Sequence, residues 1–270
     1  MKKSLIDILF GVISLSVLVI VWEVAAKIGW EYSNIFPPPS RFIGAIVEDD
    51  FQIGIASQAT TIHSSVLSSM YRVIMGLVIG FLGAMVMGFL VSTNKWVERF
   101  LMPIVRILAP IAPIAWIPLA LVLFGIGNST AIFIVFMGVF FMFTIATVKA
   151  IDTVPPNLIY SALTLGASKT DIWFKVIIPF IIPQIFTILR LNFIAAWMAV
   201  LAAEMTGLRD GLGAVIMMGR NLFNNELILF GMLLIGIVGF IFDQILKFIQ
   251  TKFFWWDNPK STSNQSYQWK

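Results

Sequence analysis

The chain has no cysteine, one histidine and little charge: Asp, Glu, Lys and Arg make up 12% of its 270 residues. Without cysteine there is no disulfide framework, no thiolate nucleophile and no thiolate-bound metal, and cysteine usage says nothing of the redox compartment. His63 is the only imidazole, with no second imidazole or carboxylate at metal-ligand spacing, so no metal site is expected. Paired acids, a serine with a general base and a metal cluster are all missing from the apolar runs, which argues against an intramembrane enzyme. A chain 59% hydrophobic with mean hydropathy +0.93 cannot clothe a soluble domain in polar side chains. The net charge of +4 would suggest nucleic acid in a soluble protein. In a membrane protein such cations gather on cytoplasmic loops, and no nucleic-acid partner is expected.

What the sequence does have is long apolar runs. Several reach the roughly 20 residues a helix needs to cross the hydrocarbon, without the period-two alternation of a barrel strand. The expected class is all-α, with about six membrane spans near 6–28, 67–91, 100–124, 130–148, 182–205 and 227–249. The first run starts like a signal peptide after Lys2 and Lys3, but it continues to Ile28 with no small-residue cleavage site. It is read as a retained span. Between the first two spans, Pro37, Pro38 and Pro39 predict an extended segment, and Ser40 a cap for a short helix through Ile46. Lys2, Lys3, Lys95, Arg99, Lys149, Lys169, Lys175, Lys247, Lys252, Lys260 and Lys270 share one side if the amino terminus is inside, opposite Glu31, Glu48, Asp49 and Asp50. Both termini are therefore expected in the cytoplasm.

Two spans carry unusual residues. Gly76, Gly80, Ala84 and Gly88 recur every four positions and line one helical face, suited to close packing in the bundle, a subunit interface or a solute path. Pro103, Pro110, Pro113 and Pro118 interrupt the third span, which must be kinked or partly unwound, either for packing or to line a path. Charges inside spans are costly and call for a functional hypothesis. Arg106 and Arg190 lie toward the inner side and Glu204 near the outer end of the fifth span. Arg190 and Glu204 stand 14 positions apart, about 21 Å along a helix, and cannot pair directly. Arg106, Pro110, Pro113, Trp116, Arg190 and Glu204 are the candidates for a path, the arginines favouring an anion. The competing reading has the arginines snorkelling to headgroups and Glu204 in a packing or gate hydrogen bond. Glu23 and Lys27 should pair with each other, and Arg72 should anchor at the interface. Trp255 and Trp256, with Phe253 and Phe254, read as an aromatic belt.

The polar stretch SALTLGASKTDIW, residues 161–173, has the ending of a phosphate-binding loop but not its requirements. Ser168 stands where glycine must precede the lysine, Leu163 where the first glycine belongs, and no buried strand comes before. What the residues predict instead is a helix starting at Pro155 and Pro156, a turn at Gly166, a Ser168–Asp171 capping box and a second helix bearing Ile172, Trp173, Val176 and Ile177. So apolar a pair wants a partner surface.

The segment YSALTLGASKTDIWFKVIIP resembles the cytoplasmic loop of ATP-binding-cassette importer permeases, of form E-A-A-x3-G-x9-I-x-L-P. Ala162, Gly166 and Pro179 match; Val176 and Ile178 stand for Ile and Leu, while Tyr160 and Ser161 replace the Glu and first Ala. IFPPPSRF, SMYRVIMGLVIGFLGAMVMGFL, PIAPIAWIPLALVLFGIGNSTAIFIVFMGVFF and LAAEMTGLRDGLGAVI resemble the nitrate, sulfonate, taurine and bicarbonate branch, so that the likeness covers roughly 37–256. The resemblance implies a type I importer permease fold, one membrane domain over 1–256 with a coupling loop at 150–180, and a polar cytoplasmic tail at 257–270. It implies a bacterial inner-membrane homodimer, two cytoplasmic ATPase subunits holding ATP and Mg, and an external solute-binding protein; no cofactor is expected in this chain. Tyr160, Ser161, Ala162, Gly166, Ala167, Ser168, Asp171, Trp173 and Pro179 would then couple the membrane part to the ATPase. The cargo would be a small anion such as nitrate, bicarbonate, a sulfonate or taurine, or alternatively a vitamin precursor or other organic solute. A secondary transporter is the alternative class, and it would need inverted repeats and an ionisable relay that the sequence does not offer.

Overall fold

The computed structural model describes residues 2–28, 36–48, 52–53 and 60–254. Helices dominate: α1 (Lys2–Lys27), α2 (Pro39–Glu48), α3 (Ile62–Thr93), α4 (Lys95–Leu108), a 3-10 turn (Pro113–Trp116), α5 (Ile117–Phe124), α6 (Asn128–Asp152), α7 (Pro156–Thr164), α8 (Lys169–Asp171), a π-turn (Ile172–Ile177), α9 (Ile178–Glu204), α10 (Leu212–Asn221) and α11 (Asn225–Phe253). A two-residue antiparallel pairing joins Gln52–Ile53 to Thr60–Thr61. The chain divides into two compact units, one of 1–69 with 204–236 and one of 70–203 with 237–270. The expected tail at 257–270 and the tryptophans at 255 and 256 fall outside the described residues.

In the first unit, α2 buries Phe42 in a cluster with Ile62, Val215, Leu227 and Phe230, and Trp22 of α1 packs against it. Glu23 pairs with Lys27 at 2.8 Å, as their spacing predicts. The same carboxylate also takes the Ser40 amide at 3.1 Å and hydroxyl at 2.6 Å. Helix α2 already begins at Pro39, so the expected capping role of Ser40 passes to Glu23, which accepts an amide at the helix start from another helix.

In the second unit the chain direction can be read from contacts. A Cβ on Gly76 would lie 2.5 Å from Val135, one on Gly80 2.5 Å from Val139, and one on Gly88 2.7 Å from Thr147. Partners advance together along both helices, so α3 and α6 run parallel at very close range. Two parallel crossings require one return between them. Among the described residues five helices are by themselves long and apolar enough to cross a membrane, and α4 with 113–124 makes a sixth only if this pair, bent by 96°, counts as one span. The parallel α3 and α6 require that it does. The bend falls where the prolines predict it: Pro103 is accommodated inside α4, while Pro113 opens the 3-10 turn and Pro118 sits in the first turn of α5, positions where a missing amide costs little. Pro113 fills the notch over Gly138 of α6, where an added Cβ would meet it at 2.8 Å.

Helix α9 returns antiparallel to α6, with Ile181 and Ile185 in one cluster with Ala150 and Val154. Helix α11 is antiparallel to α9, since Arg190 meets Asp243 while Phe186 meets Phe254. The ends of α3, α6 and α11 and the start of α9 therefore lie on one side of the bundle, and that side carries Lys95, Lys149, Lys169, Lys175, Lys247 and Lys252.

Candidate functional site: a docked loop with a bare apolar face

The connection between α6 and α9 is a two-sided structure. Pro155 takes the cap position and Pro156 the first helical position of α7. Leu165 ends it, and Gly166 turns the chain at φ 81°, a value that strains any residue with a Cβ. A Cβ there would meet nothing within 4 Å, so within this chain the glycine is required by the turn and not by crowding. Ser168 and Asp171 form the predicted capping box, with the Asp171 amide on Ser168 Oγ at 3.2 Å and the Ser168 amide on Asp171 Oδ2 at 3.2 Å. Lys175 adds an ion pair to Asp171 at 2.6 Å. The π-turn that follows widens the helix just before Pro179 and Pro183, where two amide donors are missing.

One side of this loop faces its own bundle. Ile172 and Ile177 are buried with Ala150, Val154, Ile181 and Ile185, and Ile159, Ala162, Ala167 and Trp173 pack against them. Trp173 also meets the Phe89 ring edge-on at 4.7 Å, so its indole is committed to α3. The other side is bare: Leu158, Tyr160, Leu163 and Leu165 are exposed, Leu165 at 89%. Ser161 and Pro179 are exposed as well, and Ser161 Oγ donates to the Asn157 carbonyl at 2.8 Å. The loop is thus glued to the membrane bundle by one apolar face and presents a second.

The path candidates have different surroundings. Arg106 and Pro110 are exposed. Trp116 is half-buried, and its Nε1 is a buried donor with no acceptor among the described residues. Arg190 is bound as a fork to Asp243 at 2.7 and 2.9 Å, a partner the sequence reading missed because it lies in another span. Glu204 is fully buried; it accepts Ser69 Oγ at 2.7 Å and the Gly213 amide at 2.9 Å, and Ser69 Oγ in turn accepts the Leu212 amide at 2.9 Å. Its carboxylate therefore binds the start of α10, a short helix that no span-length signal reveals. Ser68 reaches Asp210 at 2.6 Å beside it. Arg72, expected as an interfacial anchor, is instead 1% exposed and donates through Nε to Asn128 at 2.7 Å. A guanidinium at such depth needs acceptors inside the protein, and Asn128 supplies one.

Residues 58–254 match the family described as binding-protein-dependent transport system inner membrane component. An ABC transporter permease protein of Methanocaldococcus jannaschii is 37% identical over 242 residues, 88% of each chain. The taurine transport system permease protein TauC of Escherichia coli is 25% identical over 243 residues, 90% of this chain and 88% of that one. The nitrate import permease protein NrtB of a Synechocystis strain is 28% identical over 243 residues, 88% of this chain and 86% of that one. Among solved structures, an inward-facing MetNI methionine ABC transporter matches with TM-score 0.54 at 21% identity, over 68% of this chain and 93% of that one; the likeness is one of fold. The chain belongs to the binding-protein-dependent inner-membrane components, and it is the permease subunit of an ABC importer. The secondary-transporter alternative falls with that membership. Permeases of this family are not themselves enzymes; the ATPase is a separate subunit.

Proposed function

We propose that this permease works as a homodimer with two ATPase subunits and an external solute-binding protein, and that it imports a small anion of the oxyanion or sulfonate class. The bare apolar face of the 156–165 segment, backed by a face fixed to the bundle, carries the coupling part of this reading. Tyr160, Leu163 and Leu165 meet the ATPase; Ala162, Ala167 and Trp173 transmit the push to α3, α6 and α9; Gly166, Ser168 and Asp171 hold the turn between them. ATP and Mg belong to the ATPase. The cation-bearing side of the bundle is the cytoplasmic one, by the bias of lysine and arginine toward cytoplasmic loops, which puts the end of α11 there; by the same bias Lys2 and Lys3 make the amino terminus cytoplasmic. The whole of 1–256 acts as the membrane domain.

The solute class rests on TauC and NrtB, which are named for taurine and nitrate. The path runs beside the broken segment with Pro110, Pro113 and Trp116 and beside α9. There the unpaired indole N–H of Trp116 has the chemistry to serve an oxyanion, whereas Arg190 acts within its pair with Asp243. A rigid-body switch of the bundle driven through the loops would open the path to alternate sides.

The test is to purify the tagged chain gently from membranes and identify what stays bound. The wild type and Trp173→Phe should retain an ATPase subunit, and Leu165→Glu with Tyr160→Glu should lose it while remaining folded. Retention in the doubly charged variant would refute the docking face. The co-purifying system's binding protein is then titrated with nitrate, bicarbonate, taurine and an alkylsulfonate; affinity for none of them would overturn the anion reading.

A further inference from the structure

Helix α4 has three faces, and among the described residues only one of them is packed against the rest of the chain. Its inner face buries Met102 and Val105, with Met102 in a cluster with Val91 of α3 and Val148 of α6, and Val97 and Leu101 packed beside it. Since α3 ends at Thr93 and α6 at Asp152, this places α4 beside the last turns of two crossing helices, at the level where hydrocarbon gives way to headgroups. The second face is basic: at 100° per residue, Lys95, Arg99 and Arg106 fall within about 40° of one another. They line a hollow of about 300 Å³ with Glu98, Met102 and Pro103. Among the described residues none of these three cations forms an ion pair, in contrast to Arg41, Lys175 and Arg190, each of which does. The third face begins about 60° further round and is apolar yet exposed: Trp96, Phe100, Ile104 and Ile107, with Trp96 at 78%. Arg99 lies 5.8 Å from the Trp96 ring, at the seam between the two outer faces.

We propose that this surface is a binding site for an anionic phospholipid. The phosphate sits in the hollow on Lys95, Arg99 and Arg106, and the acyl chains lie along Trp96, Phe100, Ile104 and Ile107. A small solute would satisfy the cations and leave the apolar stripe bare; a zwitterionic lipid would cover the stripe but bring no net charge to a hollow holding three cations and one carboxylate. One molecule with a net negative headgroup and two chains answers both faces. The indole at the seam suits the interfacial level, where an apolar ring with a polar edge is favoured. The site requires only that the chain sits in a membrane, and it stands whatever the importer's solute and whichever residues contact the ATPase.

The test uses the full chain purified with its partner subunits. Phosphatidylglycerol retained after stepwise delipidation is counted by native mass spectrometry in the wild type, in Lys95→Gln/Arg99→Gln/Arg106→Gln, and in Lys149→Gln/Lys247→Gln/Lys252→Gln, which removes the same charge elsewhere. Each neutralisation on α4 should weaken retention about fivefold, while the control keeps the tightly held lipid. In parallel, fluorescence quenching by bromine-labelled phosphatidylglycerol is compared in the wild type and Trp96→Phe, a measurement that does not depend on the triple variant folding. The Trp96 contribution should be quenched more by phosphatidylglycerol than by phosphatidylcholine with the same chains. Equal lipid loss in both triple variants would reduce the effect to bulk charge and overturn the site. So would equal quenching by the two lipids, displacement of the lipid by inorganic phosphate alone, or a change of oligomeric mass in the α4 variant, which would give this face to another copy of the chain.

Discussion

The α3–α6 seam and the α9–α11 seam lie in the same unit and join helices of similar length, but they are built from different materials. The first is nearly featureless: Gly76, Gly80 and Gly88 let the backbone of α3 approach Val135, Val139 and Thr147 with no room for a methyl group. The second is joined by side chains, with the Arg190–Asp243 fork, a Gln250 to Thr187 hydrogen bond at 2.7 Å and the Phe193–Phe242 rings 4.5 Å apart. Lipid tails are as apolar as leucine, so apolar burial gives these helices little reason to associate. Dispersion at close range and polar contacts withheld from water must do so. The two seams use one each.

The contrast can be broken by overfilling the first seam. Gly80→Leu should cost about 3 kcal/mol or more and remove most folded protein, because the added atoms meet Val139 and the nearby Phe136 backbone. Gly83→Leu, whose Cβ would meet ring edges, Phe140 at 3.2 Å and Phe136 at 3.8 Å, should be milder. Size-exclusion yield and thermal melting in detergent read both, and equal damage would refute the seam. At the second seam, Asp243→Asn should cost about 2–3 kcal/mol by leaving Arg190 without its counter-ion. Adding Arg190→Gln should recover most of that loss in the melting curve; a purely additive double variant would mean that the pair does not couple.

In the other unit, Ser69→Ala removes the hydroxyl that links Glu204 to the Leu212 amide, and about 1–2 kcal/mol of stability should go with it. Hydrogen exchange should then rise at the start of α10. Unchanged exchange would show that the carboxylate alone fixes that helix. The smallest effect is expected for Gln250→Ala, about 0.6 kcal/mol, near the average for interhelical hydrogen bonds within membranes. A loss as large as that of Asp243→Asn would put the strength of the second seam in its neutral contacts and not in its ion pair.

The loop was the most legible part of the candidate site in sequence. Proline pairs, a glycine and a Ser-x-x-Asp spacing act within a few residues of themselves, so α7, the turn at Gly166 and the capping box could be read locally. Which side of the loop faces the bundle could not. Trp173 looks as available as Leu165 in the sequence, yet one packs on Phe89 and the other is bare. The helix α10, the partner of Arg190 and the depth of Arg72 were equally hidden, because each depends on residues far along the chain.

The sequence by itself determined that this is a helical membrane protein, roughly where it crosses, and that its third span must break. Span length, charge scarcity and proline act through local chemistry and the surrounding lipid, whatever the neighbours are. Only the tertiary structure decided that α3 and α6 run parallel, which makes the bent segment a true crossing, and that Arg190 has an ion-pair partner while Lys95, Arg99 and Arg106 have none among the described residues. A charge or a glycine specifies what kind of partner it needs; which partner it meets is set by how helices tens of residues apart are packed side by side.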